Sequence, residues 1–218
     1  MPAEGAIRDG TTADFDLIET LRWQPADGFV RLDRHLQRLY SSATALGFAA
    51  DPDAIGGALG KCRGDAALRV RLALSRDGAA EATITPLEPL AKDAVWTLRI
   101  AQTRLDSTDP LLRHKTTRRH IYDAARAEFP RELADEVLLL NERSEICEGT
   151  ITNLFISVGD PVLVTPPLTS GLLAGVLRGS MLDAGAAREV AVTEADLRSA
   201  QTIFVGNSLR GLVRARLA

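Results

Sequence analysis

The stretch Glu148-Gly149-Thr150-Ile151-Thr152-Asn153-Leu154-Phe155 decides how the rest of this chain is read. It follows Ser144-Glu145-Ile146-Cys147 and ends in an apolar run that reads as a strand over 151–158, paired across Gly159-Asp160 with another over 162–165. The glycine lets the backbone pass close to a ligand, and a carboxylate beside it can keep a ring nitrogen protonated. Taken singly, Glu148 reads first as a surface turn acid, so its meaning depends on its companions.

Upstream, an apolar strand is predicted over 136–140 and a helix over 116–129. At the entrance to that helix stands Leu112-Arg113-His114-Lys115-Thr116-Thr117-Arg118-Arg119. A free lysine titrates at roughly 10.4, so one that forms an imine needs its ammonium destabilised, which nearby cations and burial both do. Arg113, Arg118 and Arg119 supply the cations. A solvated basic helix end has the same composition.

Further towards the N-terminus, 16–23 reads as a strand and Ala26-Asp27-Gly28 as a turn. From Leu32 the apolar residues Leu32, Leu36, Leu39, Ala43 and Leu46 recur at helical spacing, ending near Gly47. This helix carries His35-Leu36-Gln37-Arg38-Leu39, and a guanidinium such as that of Arg38 can grip phosphate through two parallel hydrogen bonds. A helix over 55–61 and strands over 68–74 and 80–86, joined by Asp77-Gly78, complete a small α+β lobe. A strand over 95–101 and a polar connector over 103–113 follow. Thr169-Ser170-Gly171-Leu172-Leu173 is predicted to cap a helix through 172–184, whose first N–H groups suit an anion. A strand over 190–192, a short helix capped by Thr193 and a strand over 202–205 lead to Gly206-Asn207-Ser208, a second stretch rich in donors.

The bulk properties narrow the function classes. With 218 residues, 45% hydrophobic and 25% charged, the chain has material for a packed core in one large domain or two small lobes. A net charge of −3 and a basic run without aromatic partners argue against nucleic acid as the main partner. Two cysteines, Cys62 and Cys147, have neither disulfide-framework nor zinc-type spacing, so no metal site is expected and a reducing cytoplasm is. No apolar run is long enough to span a bilayer, and Met1-Pro2-Ala3-Glu4-Gly5 has no apolar signal core.

The ordered segments Phe15–Arg22, His35–Leu39, His114–Thr117, Glu148–Phe155, Gly171–Arg178 and Gly206-Asn207-Ser208-Leu209 together resemble the class IV aminotransferase family over nearly the whole chain. The resemblance implies an α+β / α/β, two-lobed D-amino acid aminotransferase-like (type IV) fold. A small N-terminal lobe, 1–104, and a larger lobe, 105–218, would meet at a cleft holding pyridoxal 5′-phosphate. It implies that Lys115 is the catalytic Schiff-base lysine and Glu148 the partner of the pyridine nitrogen. Arg38 would hold the phosphate, with Leu172, Leu173, Asn207 and Ser208 completing the cradle. It also implies a homodimer acting on a small molecule. The Asn207-Ser208-Leu209 turn is more similar to the aminodeoxychorismate lyases than to branched-chain or D-amino acid transaminases, which usually have threonines there. Arg118 stands where the family often has asparagine, and Ala13-Asp14 where it usually has Gly-Asp; both departures bear on the substrate side of the cleft.

Overall fold

The computed structural model describes residues 15–218, so the Ala13-Asp14 departure lies outside the described residues. The first layer is a four-stranded antiparallel sheet. Its strands are β1 (Leu17–Gln24), β2 (Gly28–Phe29), β3 (Leu68–Leu74) and β4 (Ala80–Pro86), in the order β2-β1-β3-β4. Strand β3 shows why it is half-covered: Leu68, Val70, Leu72 and Leu74 alternate with Arg69, Arg71 and Ala73, and the leucines and valine are buried. Helix α1 (Leu32–Leu46) lies against β1, and α2 (Pro52–Leu59) against β3 and β4. The apolar stripe of α1 meets Leu17, Leu21, Val70 and Leu72 in one core.

The second layer is a nine-stranded sheet. It contains β5 (Val95–Leu105), β6 (Glu136–Asn141), β7 (Glu145–Gly149), β8 (Asn153–Ser157), β9 (Leu163–Thr165), β10 (Ala187–Glu189), β11 (Val192–Thr193), β12 (Thr202–Asn207) and β13 (Gly211–Leu217), in the order β10-β9-β8-β12-β13-β5-β6-β7-β11. An additional pairing of β7 with β8 closes six of these strands into a barrel. The residues that make the closing pair are Glu148 and Asn153. Every residue of β6, Glu-Val-Leu-Leu-Leu-Asn, is buried, as expected of a strand that runs parallel to β5 with both faces covered. Helices α3 (His120–Ala127), α4 (Val176–Asp183) and α5 (Glu194–Ser199) surround this sheet; α5 starts with the predicted Thr193 cap, reciprocated by Asp196. Among the described residues, no helix is long and apolar enough to cross a membrane.

In place of the strand predicted over 190–192 stand β10 and β11, and that predicted over 151–158 begins at Asn153; three further differences have a tertiary reason. The helix predicted from Thr116 begins only at His120. The backbone before it is held extended against β1, with Ile18 N–H donating to the Lys115 carbonyl and Thr117 N–H to that of Asp16, each at 2.9 Å. The helix predicted from Leu172 begins at Val176, because Thr169-Ser170 form part of a 3-10 turn and Leu172 is drawn fully into the core beside Leu105 and Leu112. Gly211–Leu217, given no element above, is strand β13, which alternates buried Val213 and Ala215 with outward arginines and links β12 to β5.

Candidate active site

A cavity of about 430 Å³ opens between the two sheets, and Lys115, Glu148, Arg38, Leu173, Asn207 and Ser208 all line it. Of the lysine, the carboxylate and the phosphate-cradle residues expected from the resemblance, only Leu172 does not, its side chain being completely buried in the core; Arg113, expected as a cation beside Lys115, does not line the cavity either.

Lys115 reaches the cavity from the extended segment pinned to β1. Burial, assisted by the Arg38 charge, pulls its ammonium down from the ordinary lysine range to about 8, against the opposing pull of Glu19. The neighbouring cation that matters most is therefore Arg38, from another element, rather than the arginines next to Lys115 in sequence.

Glu148, the closing residue of the barrel, is 4% exposed. Burial pushes its carboxyl up to about 7, although it has three donors. Tyr122 O–H (2.8 Å) and Leu173 N–H (3.1 Å) both donate to Oε1, while Asn153 Nδ2 donates to Oε2 at 3.3 Å. Oε2 thus keeps an acceptor position for a further donor. The turn after Glu148 is set by Glu136, a buried carboxylate that accepts from the N–H groups of Val137, Thr150 and Ile151 and from the hydroxyls of Thr150 and Thr152. Gly149 has to be glycine: an added Cβ would lie 2.5 Å from Thr152 Oγ1 and 2.7 Å from Glu136 Cδ.

Arg38 and His35, one helical turn apart on α1, converge on Glu19 of β1. Arg38 donates to Glu19 through Nε (2.8 Å) and Nη2 (2.6 Å) and to the Ala174 carbonyl through Nη1 (3.0 Å). Three of its five N–H groups are used, so two remain for an anion. His35 Nδ1 lies 2.6 Å from Glu19 Oε2, and its Nε2 lies 2.8 Å from Ser208 Oγ. Burial pushes the Glu19 carboxyl up, but Arg38 and His35 outweigh it and hold the group at about 2.

The backbone donors left open at the cavity are also not those expected from sequence. The Leu173 N–H is taken by Glu148, whereas Gly175 and Val176, at the start of α4, line the cavity and have no side-chain cap. Gly175 is required there because an added Cβ would fall 1.8 Å from Asn153 Oδ1. Asn207 serves the turn itself: Oδ1 accepts the N–H groups of Leu209 and Arg210, and Nδ2 donates to the Ile151 carbonyl. Glu19, His35, Tyr122 and Val176 were not singled out from sequence. A signal existed for two of them, an acid interrupting the apolar β1 run and a histidine three residues before Arg38; Tyr122 and Val176 had none beyond helical position.

A lysine with a lowered pKa, a carboxylate with a spare acceptor site, and an arginine with two free N–H groups beside a helix N-terminus fit pyridoxal 5′-phosphate. The amino-transferase class IV family matches residues 16–218, and this chain belongs to that family. It is thus a pyridoxal-phosphate-dependent enzyme with the family's fold. A solved structure from Mesorhizobium loti, provisionally named an amino-acid aminotransferase, is 58% identical, with a TM-score of 0.90 over 94% of this chain and 100% of that one. The 4-amino-4-deoxychorismate lyase of Pseudomonas aeruginosa is 26% identical, with a TM-score of 0.77 over 100% of this chain and 88% of that one. A Schizosaccharomyces pombe protein provisionally named aminodeoxychorismate lyase is 29% identical over 85% of this chain and 83% of its own length.

Proposed function

We propose that the chain is a lyase that converts 4-amino-4-deoxychorismate to 4-aminobenzoate and pyruvate. The observation that carries this reading is the charge of the cavity wall. Arg69, Arg118, Arg131 and Arg210 line the same cavity as Lys115, and among the described residues none of them lies within salt-bridge distance of a carboxylate. A substrate with two carboxylates suits such a wall better than an amino acid with one carboxylate and an apolar side chain. The Asn207-Ser208-Leu209 turn, on the same wall, and the lyase names among the relatives support the same reading.

When bound, pyridoxal phosphate supplies an electron sink for the charge left at the substrate carbon. Lys115 carries the cofactor and then removes the proton from the carbon bearing the substrate amino group. Glu148, whose Oε2 has an open acceptor position, would keep the ring nitrogen protonated. Arg38, the first N–H groups of α4 and Ser208 hold the phosphate, while the wall arginines orient the substrate carboxylates. Departure of pyruvate leaves an aromatic ring, which makes the reaction effectively irreversible.

The second reading, transamination of a small amino acid, is favoured by the name of the Mesorhizobium loti relative. The holoenzyme is assayed in parallel for 4-aminobenzoate with pyruvate and for amino-group exchange between amino acids and keto acids. Release of 4-aminobenzoate faster than any exchange is expected; robust exchange without 4-aminobenzoate selects the transaminase.

A further inference from the structure

We propose that His35 is a positioning residue that decides whether Ser208 can donate a hydrogen bond to an anion in the cavity, so that capture of a phosphate group there takes up a proton. The inference deepens the reading above, in which Ser208 belongs to the cofactor phosphate cradle, and rests on it.

The argument is a count of hydrogens along Ser208–His35–Glu19. His35 and Glu19 are each 1% exposed, whereas Ser208, 7% exposed, also lines the cavity. Glu19 is ionised, with both oxygens engaged by Arg38 and one also by His35. The 2.6 Å contact at His35 Nδ1 therefore requires a hydrogen on Nδ1. In a neutral ring Nε2 then has only a lone pair, and the 2.8 Å contact is filled by the Ser208 hydroxyl donating into it. Ser208 in that state shows the cavity only oxygen lone pairs, which repel a phosphate oxygen. A second ring proton reverses the bond: Nε2 donates to Ser208 Oγ, and the hydroxyl hydrogen is freed for the anion.

The charges that face this chain come from three elements. Glu19 is on β1, Arg38 is one turn along α1, and Lys115, on the segment before α3, is close enough to feel both. Glu19 and Arg38 are paired with each other, and an arriving phosphate adds a negative charge on the Ser208 side of the ring. Anion and proton thus bind together.

The test uses cofactor-free protein and pyridoxine 5′-phosphate, which has the phosphate but no aldehyde to react with Lys115. Binding heats are measured at ~pH 8 in buffers of different ionisation enthalpy, whose slope gives the protons taken up. The parent protein is expected to take up close to one more proton than Ser208→Ala and to bind about 10–100-fold more tightly, the loss expected for one charge-assisted hydrogen bond. His35→Gln, which keeps a donor to Glu19 but cannot gain a charge, is expected to match Ser208→Ala in proton uptake. Weakened binding with unchanged proton uptake in Ser208→Ala overturns the relay while leaving Ser208 at the phosphate. Unchanged uptake together with unchanged affinity removes Ser208 from the phosphate and overturns the reading on which the relay rests.

Discussion

The Tyr122 hydroxyl donates to Oε1 of Glu148 at 2.8 Å, so a residue seven positions beyond Lys115 holds a carboxylate that lines the same cavity. The Leu173 N–H occupies the same oxygen, whereas Oε2 accepts only from Asn153 Nδ2 and keeps an open acceptor position. The Arg119 guanidinium lies 5.1 Å over the Tyr122 ring and donates to the Thr150 carbonyl, so the tyrosine is itself fixed.

Tyr122→Phe removes one hydrogen bond to a charged group without opening a cavity. The expected cost is about 1.5–3 kcal/mol in the stability of the Glu148 carboxylate, seen as a lower kcat with the cofactor retained. A fluorimetric cofactor titration and steady-state kinetics check it; an unchanged kcat would show that Glu148 keeps its position unaided.

Arg38→Ala does two things at once. It removes the guanidinium N–H groups available to a phosphate, and it leaves Glu19 buried with His35 alone. Breaking a buried pair by removing one partner costs about 3–5 kcal/mol, so the thermal midpoint of the cofactor-free protein should fall along with cofactor affinity. Arg38→Ala combined with Glu19→Ala should recover part of the midpoint and none of the affinity. Thermal unfolding with and without cofactor separates the two effects.

The reaction of Lys115 with added cofactor requires a neutral amine. Because burial and Arg38 bring its pKa to about 8, the rate of attachment should climb as pH rises through about 8 and level above it, well short of the ordinary lysine range. Stopped-flow absorbance across pH measures the midpoint, and borohydride reduction followed by peptide mapping should find the cofactor on Lys115. A midpoint near 10.5, or label on another lysine, contradicts the assignment.

Glu148 couples the fold to pH with the opposite sign from a paired surface acid. Its folded pKa, about 7, lies above the unfolded value of 4.5. Between those values the folded state binds more protons than the unfolded state, so this group's contribution to stability falls as pH rises. At about 1.4 kcal/mol for each pH unit that separates the two values, Glu148→Gln should become progressively more stable than the parent between ~pH 5 and ~pH 8, by up to a few kcal/mol. Denaturant unfolding of cofactor-free protein at both pH values reads the difference; a constant offset rules the linkage out. In the holoenzyme the same substitution should retain cofactor and lose most turnover.

Glu136→Gln places an amide N–H₂ against groups that are all donors. Both carboxylate oxygens are in use, Oε1 by Val137 and Thr150 and Oε2 by Ile151 N–H and Thr152 O–H. At least one buried donor is then left unpaired, at about 1–3 kcal/mol, and the turn behind Glu148 loosens. Lower stability together with lower cofactor affinity is expected, and unfolding curves and a cofactor titration on the same samples check both.

Sequence by itself determined the features that depend on local pattern. The periodic leucines of α1, the alternation of β3 and the Thr193 cap all appear where they were predicted, and the order of Arg38, Lys115, Glu148 and Asn207-Ser208 along the chain identified the family. Local pattern succeeds there because a helix face, a pleat and a cap involve residues a few positions apart. Tertiary structure alone decided where α3 and α4 begin, since β1 holds Lys115–Thr117 extended and the core takes Leu172. It alone joined Tyr122 to Glu148 and Ser208 to Glu19 through His35, a bond between residues 173 positions apart. Those contacts need the barrel to close at Glu148 and Asn153 and the two sheets to meet across the cavity. No residue's own propensity encodes that meeting, because what decides it is which buried polar groups can satisfy one another once the chain is packed.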